Sequence, residues 1–96
     1  MKIHELKTDP SVFQQTWEGR KTFEIRKNDR DYQSGDVLIL RETHFSGEAM
    51  RAEGAKLMYT ERSVVQAVTG ILHGPIYGLS EGWCVMSVSN LWKSLV

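Results

Sequence analysis

The sequence predicts a small, strongly curved α+β barrel of about five strands with one short N-terminal helix. Three observations carry this. Ninety-six residues leave room for one compact domain, residues 1–96, and for no second one. Segments rich in β-branched and aromatic residues, punctuated by glycine, outnumber helical ones. And the run Val37 to Leu40 is apolar on both faces, as the strands of a closed barrel or a covered sheet are.

The elements follow in order. Met1 to Leu6 alternates, with Ile3 and Glu5 on one face and Lys2, His4 and Leu6 on the other, which is a short strand. Asp9-Pro10 then opens a helix. Asp9 can cap the free amides, and Pro10 suits the first turn because its missing N–H has no helical partner there. Val12, Phe13, Thr16 and Trp17 form a core-facing stripe over about ten residues, and Gly19 stops the helix. Thr22 to Arg26 alternates again. Phe23 and Ile25 share one face, and Thr22, Glu24 and Arg26 the other, giving a half-buried strand with a charged face. Asn28 to Gly35 is a polar turn region, and Gly35-Asp36 leads into the Val37–Leu40 strand. Thr43 to Arg62 reads as a long hairpin connection with a helical turn near Met50. Ser63 to Leu72 is a strand with a bulge at Gly70. His73 to Gly82 is a loop, Trp83 to Val88 is the last strand, and residues 90–96 form an amphipathic tail carrying Leu91, Trp92 and Leu95.

Composition excludes several classes. Twelve Lys and Arg balance twelve Asp and Glu, so bulk charge does not drive the chain onto DNA or a membrane. One cysteine, Cys84, permits neither a disulfide framework nor a structural cysteine zinc site, and it fits a reducing cytoplasm. On its predicted strand it reads as a buried core thiol. His4, His44 and His73 lack metal-ligand spacing, so no metal and no cofactor are expected. No apolar run approaches the roughly 20 residues of a membrane span, and the first residues lack a signal-peptide core.

Charge is distributed unevenly along this neutral chain. Arg20, Lys21, Arg26, Lys27 and Arg30 stand against Glu24 and Asp29, so residues 20–30 carry +3 and the remainder −3. The bland account is a solvated strand face whose charges pair with one another. The functional account is a strip that holds a small anion or a short stretch of nucleic acid. In it Arg20, Lys21, Glu24, Arg26 and Asn28 are the candidate ligand-binding residues. Glu24 and Arg26, two apart on a strand, offer an acceptor and a donor on one face. Lys21 can hold a phosphate or serve as a base, and His4 joins the set if the first strand lies nearby. If the chain is an enzyme, the working groups are Lys21, Glu24 and His4. Tyr32, Tyr77 and Trp83 are either base-stacking or core and rim aromatics.

The run Gly19-Arg20-Lys21-Thr22-Phe23-Glu24-Ile25-Arg26 resembles the G-x-K-x-x-E-x-R signature of the ASCH domain superfamily, whose barrel is PUA-like. Gly35-Asp36 before an apolar strand matches the same pattern. The segments HELK, GRKTFEIRKNDRD, GDVLILRE and YGLSEGWCVMSV resemble a group of small bacterial and phage ASCH-like proteins of unknown function. The resemblance covers Met1 to Glu42 and Val65 to Ser89. It implies a cleft beside the helix, lined by the charged strand, and RNA or a nucleoside or nucleotide as ligand. Some small members that resemble the GRKT segment are metal-independent amidohydrolases acting on N4-acylated cytidines, with a lysine, a threonine and a glutamate at work. Lys21 matches the lysine, Glu24 stands at the threonine position, and the glutamate has no counterpart here. A third expectation is a phage-type accessory protein that grips a host protein through residues 43–62 or 91–96, which lie outside the resemblance.

Overall fold

The computed structural model describes residues 1–95. Its five strands are β1 (Ile3–Thr8), β2 (Phe23–Lys27), β3 (Val37–Thr43), β4 (Tyr59–His73) and β5 (Trp83–Ser94). Two helices, α1 (Pro10–Trp17) and α2 (Gly47–Glu53), join them. One sheet holds all five strands in the order β1-β3-β4-β5-β2. β1 runs parallel to β3, and every other neighbouring pair is antiparallel. The sheet coils into a half-barrel, the α+β barrel-like fold expected, with two helices rather than one. β1 and β2 are its free edges.

Alternation decides the inside of the barrel. His4, Leu6 and Thr8 of β1, Leu38 and Leu40 of β3, and Val64, Gln66 and Val68 of β4 all turn inward and are buried. Cys84, Met86 and Val88 of β5 meet them there. The register of β4 slips between Val68 and Gly70, the predicted bulge. An extra residue reverses the side-chain phase, so Ile71 packs against the core while odd-numbered Val65 and Ala67 face outward. Burial lifts the Cys84 thiol above its ordinary pKa, as suits a core residue.

α1 plugs the half-barrel. Phe13 is fully buried, which contributes roughly 2–3 kcal/mol, and Trp17 tilts against it at 5.9 Å between ring centroids. The helix is eight residues long, shorter than the apolar stripe suggests. Asp9 does not cap it with its side chain. The carboxylate instead accepts from the Gly47 N–H at 3.0 Å, and the backbone of Asp9 opens the first turn by accepting from the Phe13 N–H at 2.8 Å. Gly19 stops the helix with φ +77°, a value glycine adopts at no steric cost.

Two segments differ from the sequence expectation. The connection 43–62 is shorter than expected, because β4 already begins at Tyr59 and α2 takes up its middle. Ser46 caps α2 by accepting from the Ala49 N–H, and Gly54 ends it in the left-handed region. The predicted tail 90–96 is no amphipathic appendage. It continues β5 to Ser94, pairing Trp92 with Val65 and Lys93 with Val64, and its final residue, Val96, lies outside the described residues. Pairing across strands overrides the local pattern here, because β4 supplies a long edge to be matched. No helix among the described residues is long and apolar enough to cross a membrane.

A buried polar cage ties β1 to the turn before β3. Asp36 accepts from the Lys2 N–H at 3.0 Å and the Gln33 N–H at 3.0 Å, and it lies 2.9 Å from His4 Nε2. Burial alone pushes this carboxyl up. The Lys2 amide, the His4 ring and the Gln33 amide outweigh that and hold it down at about 2. The folded value lies below the unfolded one, so the contribution is complete above pH ~4 and is lost as pH falls through about 2. We expect acidification over that range to remove on the order of 2 kcal/mol of stability through Asp36. Urea unfolding of Asp36→Asn should show a correspondingly flatter pH dependence between those limits.

Candidate functional site

β2 lies the opposite way round from the simplest reading of its alternation. Phe23 and Ile25 are 45% and 51% exposed, while Glu24 is 2% exposed. Register explains it. Glu24 stands opposite Met86 and Arg26 opposite Cys84. Directly opposed residues share a face, and Met86 and Cys84 are fully buried in the core. The charged face is therefore the inner one. The ion pairing expected of the strip is present, but it is not solvated.

Glu24 is the centre of the arrangement. Its Oε2 accepts from Lys21 Nζ, and its Oε1 accepts from Arg26 Nε at 3.0 Å. Lys21 Nζ also donates to the Phe23 carbonyl at 2.6 Å and lies 5.1 Å from the Phe23 ring. Lys21 reaches this place because the Gly19 turn folds its amide back to Gln15 O, at 3.2 Å. Both side chains are largely buried, Lys21 at 11% and Glu24 at 3% exposure. Two cations on one carboxylate leave one positive charge in excess.

Arg26 also spans the gap between the two free edges. Its Nη1 donates to Lys7 O at 3.2 Å and its Nη2 to Thr8 Oγ1 at 3.3 Å. From the turn after β2, Arg30 Nη1 donates to Glu5 O at 3.1 Å. Glu5 and Lys7 are two apart on an edge strand, so their carbonyls point the same way, off the sheet. Side chains from the β2 side thus satisfy the acceptors that a sixth strand would otherwise take.

The seam between β1 and β2 opens into a cleft of about 610 Å³. Lys7, Lys21, Arg26, Lys27, Arg30 and Arg51 line it against three carboxylates, Asp9, Glu24 and Asp29. Trp83 forms part of the rim at 41% exposure, opposite Lys27 in the sheet. Among the described residues, the side chains of Lys7, Lys27 and Arg51 have no hydrogen-bond or ion-pair partner.

The structure brings together Lys21, Glu24 and Arg26 and disperses the rest of the expected set. His4 does not join them. It lies in the Asp36 cage with its ring edge-on to Tyr32 at 4.8 Å, near the opposite end of β1 from Thr8, where Arg26 arrives. Arg20 turns away to Glu18, at 2.9 Å from Nε, and does not line the cleft. Asn28 accepts from the Tyr32 N–H at 3.1 Å and lies 3.4 Å from His73 Nδ1, holding a turn rather than facing the cleft. Of the three aromatic candidates, Tyr32 is buried and Tyr77 is 92% exposed and does not line the cleft, so among these three Trp83 offers an open ring there, beside the half-exposed Phe23. The sequence reading missed Lys7 and Arg51. Lys7 is one isolated cation in its strand, and Arg51 falls in the stretch read as a connection, so no local signal marks either. Among the described residues no three His, Cys, Asp or Glu side chains converge as metal ligands would.

A family model described as a domain of unknown function, DUF3850, matches residues 3–88. The chain belongs to this family. A 41-residue stretch of this DUF3850 chain is 51% identical to the "Uncharacterized 12.9 kDa protein in GpA 3'region" of Escherichia phage P2. The match covers 43% of the chain and 38% of the phage protein, well under two thirds of that relative's length. Both findings agree with the resemblance to small phage-type proteins of unknown function, and neither description names an activity.

Because Glu24 is the shared acceptor of two cations, its removal leaves both with no counter-charge. We expect Glu24→Gln to lower the unfolding free energy by roughly 3 kcal/mol in urea titrations at neutral pH. Lys21→Met keeps the Arg26–Glu24 pair and should cost about 1 kcal/mol.

Proposed function

We propose that this DUF3850 chain is an RNA- or nucleotide-binding module of the ASCH-like kind, which holds an anionic ligand in the seam cleft. The observation that supports it best is the excess of cations, six against three carboxylates, around a concavity of ligand size. Lys21 and Arg26 are the donors on the cleft floor, and Trp83 is the stacking surface at its rim. Glu24 is a positioning residue in this reading. Both of its oxygens are engaged by Lys21 and Arg26, so it orients the two donors rather than accepting from a base.

The same engagement favours binding over hydrolysis. An amidohydrolase needs a nucleophile or base with a lone pair aimed at the substrate. Lys21 Nζ donates to two acceptors, and His4 stands in a different cage. The N4-acylcytidine reading therefore keeps Lys21 beside Glu24, but with the Lys21 ammonium engaged as a donor and with His4 elsewhere.

The test is a titration with short single-stranded RNA and with uridine monophosphate at two salt concentrations. Lys27→Ala, whose side chain has no partner among the described residues, should weaken binding roughly tenfold without lowering Tm. The Lys21→Ala/Arg26→Ala variant, checked for folding by circular dichroism, should lose more. Wild-type affinity in both variants would remove the cleft from consideration.

A further inference from the structure

α2 is attached to the barrel differently from every strand. None of its side chains is buried. The excursion that carries it is closed at its neck, where the His44 N–H donates to Met58 O at 2.8 Å. One hydrogen bond, from the Gly47 N–H to Asp9 Oδ1 at 3.0 Å, ties its first turn to the start of α1. The arms on either side expose Phe45, Leu57 and Met58 by 43%, 45% and 53%. Few buried apolar contacts and a narrow neck are the features that let a segment move as a unit on a fixed base.

This weakly held helix nevertheless contributes a wall of the cleft, through Arg51. The guanidinium lies back over Gly47, and a Cβ added there would stand 3.0 Å from Nη1 and 3.9 Å from Asp9 Oδ1. Among the described residues Arg51 has no hydrogen-bond partner and no ion pair. Lys21, Arg26 and Arg30, by contrast, already donate to protein acceptors. A planar, unengaged guanidinium at the mouth of a cationic cleft matches a phosphate, which it can grip with two parallel N–H donors. A neutral nucleoside offers it no anionic acceptor for that paired grip.

We propose that α2 is a lid over the cleft, and that Arg51 is the finger by which it closes on the phosphate of a nucleotide ligand. This rests on the cleft reading above and adds to it a phosphate requirement and a moving part. Ligand binding pins Arg51, and the segment 45–57 becomes ordered with it.

The experiment uses the full chain, with uridine monophosphate and uridine as paired probes. Hydrogen exchange of the amides in 45–57 should slow with uridine monophosphate and not with uridine. Arg51→Ala should raise the Kd for uridine monophosphate roughly tenfold or more, leave uridine unaffected, and keep the wild-type Tm. Arg51→Lys should recover part of the loss, since the charge returns without the fork. Wild-type affinity for uridine monophosphate in Arg51→Ala, or unchanged exchange in 45–57, overturns the lid. If Lys27→Ala weakens binding while Arg51→Ala does not, the lid falls and the cleft stands. Failure of the wild-type protein to bind uridine monophosphate overturns the lid as well, and the titration with short RNA then decides the cleft separately.

Discussion

A carboxylate at the inner face of an edge strand must find positive charge or distort the core around it. Glu24 is that carboxylate, and much of this molecule is arranged around its neutralisation. Lys21 is brought to it by the turn at Gly19, and Arg26 by its place two residues further along β2. Once Arg26 is held by Glu24, its other nitrogens reach the free edge of β1. One buried acid therefore fixes two cations and, through one of them, the spacing of the two edge strands. The cleft is the space that this spacing leaves.

Two other acids in the interior are compensated by different means. Asp36 takes two backbone amides and a histidine ring, a set of partners that needs no permanent counter-charge. Glu42 is held below the usual carboxylate range by hydrogen bonds from the Arg62 guanidinium, at 2.9 and 2.7 Å, aided by Thr60 at 2.8 Å. Arg62 also donates to Gln14 and lies 4.9 Å from the Trp17 ring, so it braces α1 against β3 and β4. The Glu42 site is matched one to one and is structural in character. The Glu24 site is matched two to one, and its surplus charge faces a cavity.

Core packing is divided unevenly among the elements. The β3-β4-β5 ladder carries the long antiparallel pairings and the core. α2 carries no buried side chain and lies beside the seam cleft. A binding site built on rigid strands, with one wall supplied by a lightly held helix, can preorganise its floor and still admit a ligand.

Much of the fold was legible in the sequence. Asp9-Pro10, Gly19, Gly35-Asp36 and Gly70 marked a helix start, a helix stop, a strand entry and a bulge, because each is a local steric requirement. Alternation placed His4 and Leu6 on the same face, and the octapeptide from Gly19 to Arg26 singled out the three residues that meet at the seam. What alternation left open was which side of β2 is the inside. A period of two is symmetric under exchange of the faces, and only the pairing with β5, opposite Met86 and Cys84, turned Glu24 inward. The same holds for His4, Lys7 and Arg51. Their distances from Lys21 depend on strand order and on how a connection folds back, quantities set by long-range packing and not by any neighbour in the chain. The sequence by itself determined the elements and the chemistry available. Only the tertiary structure decided which charges are buried together, because burial is a property of contacts between segments far apart in the chain.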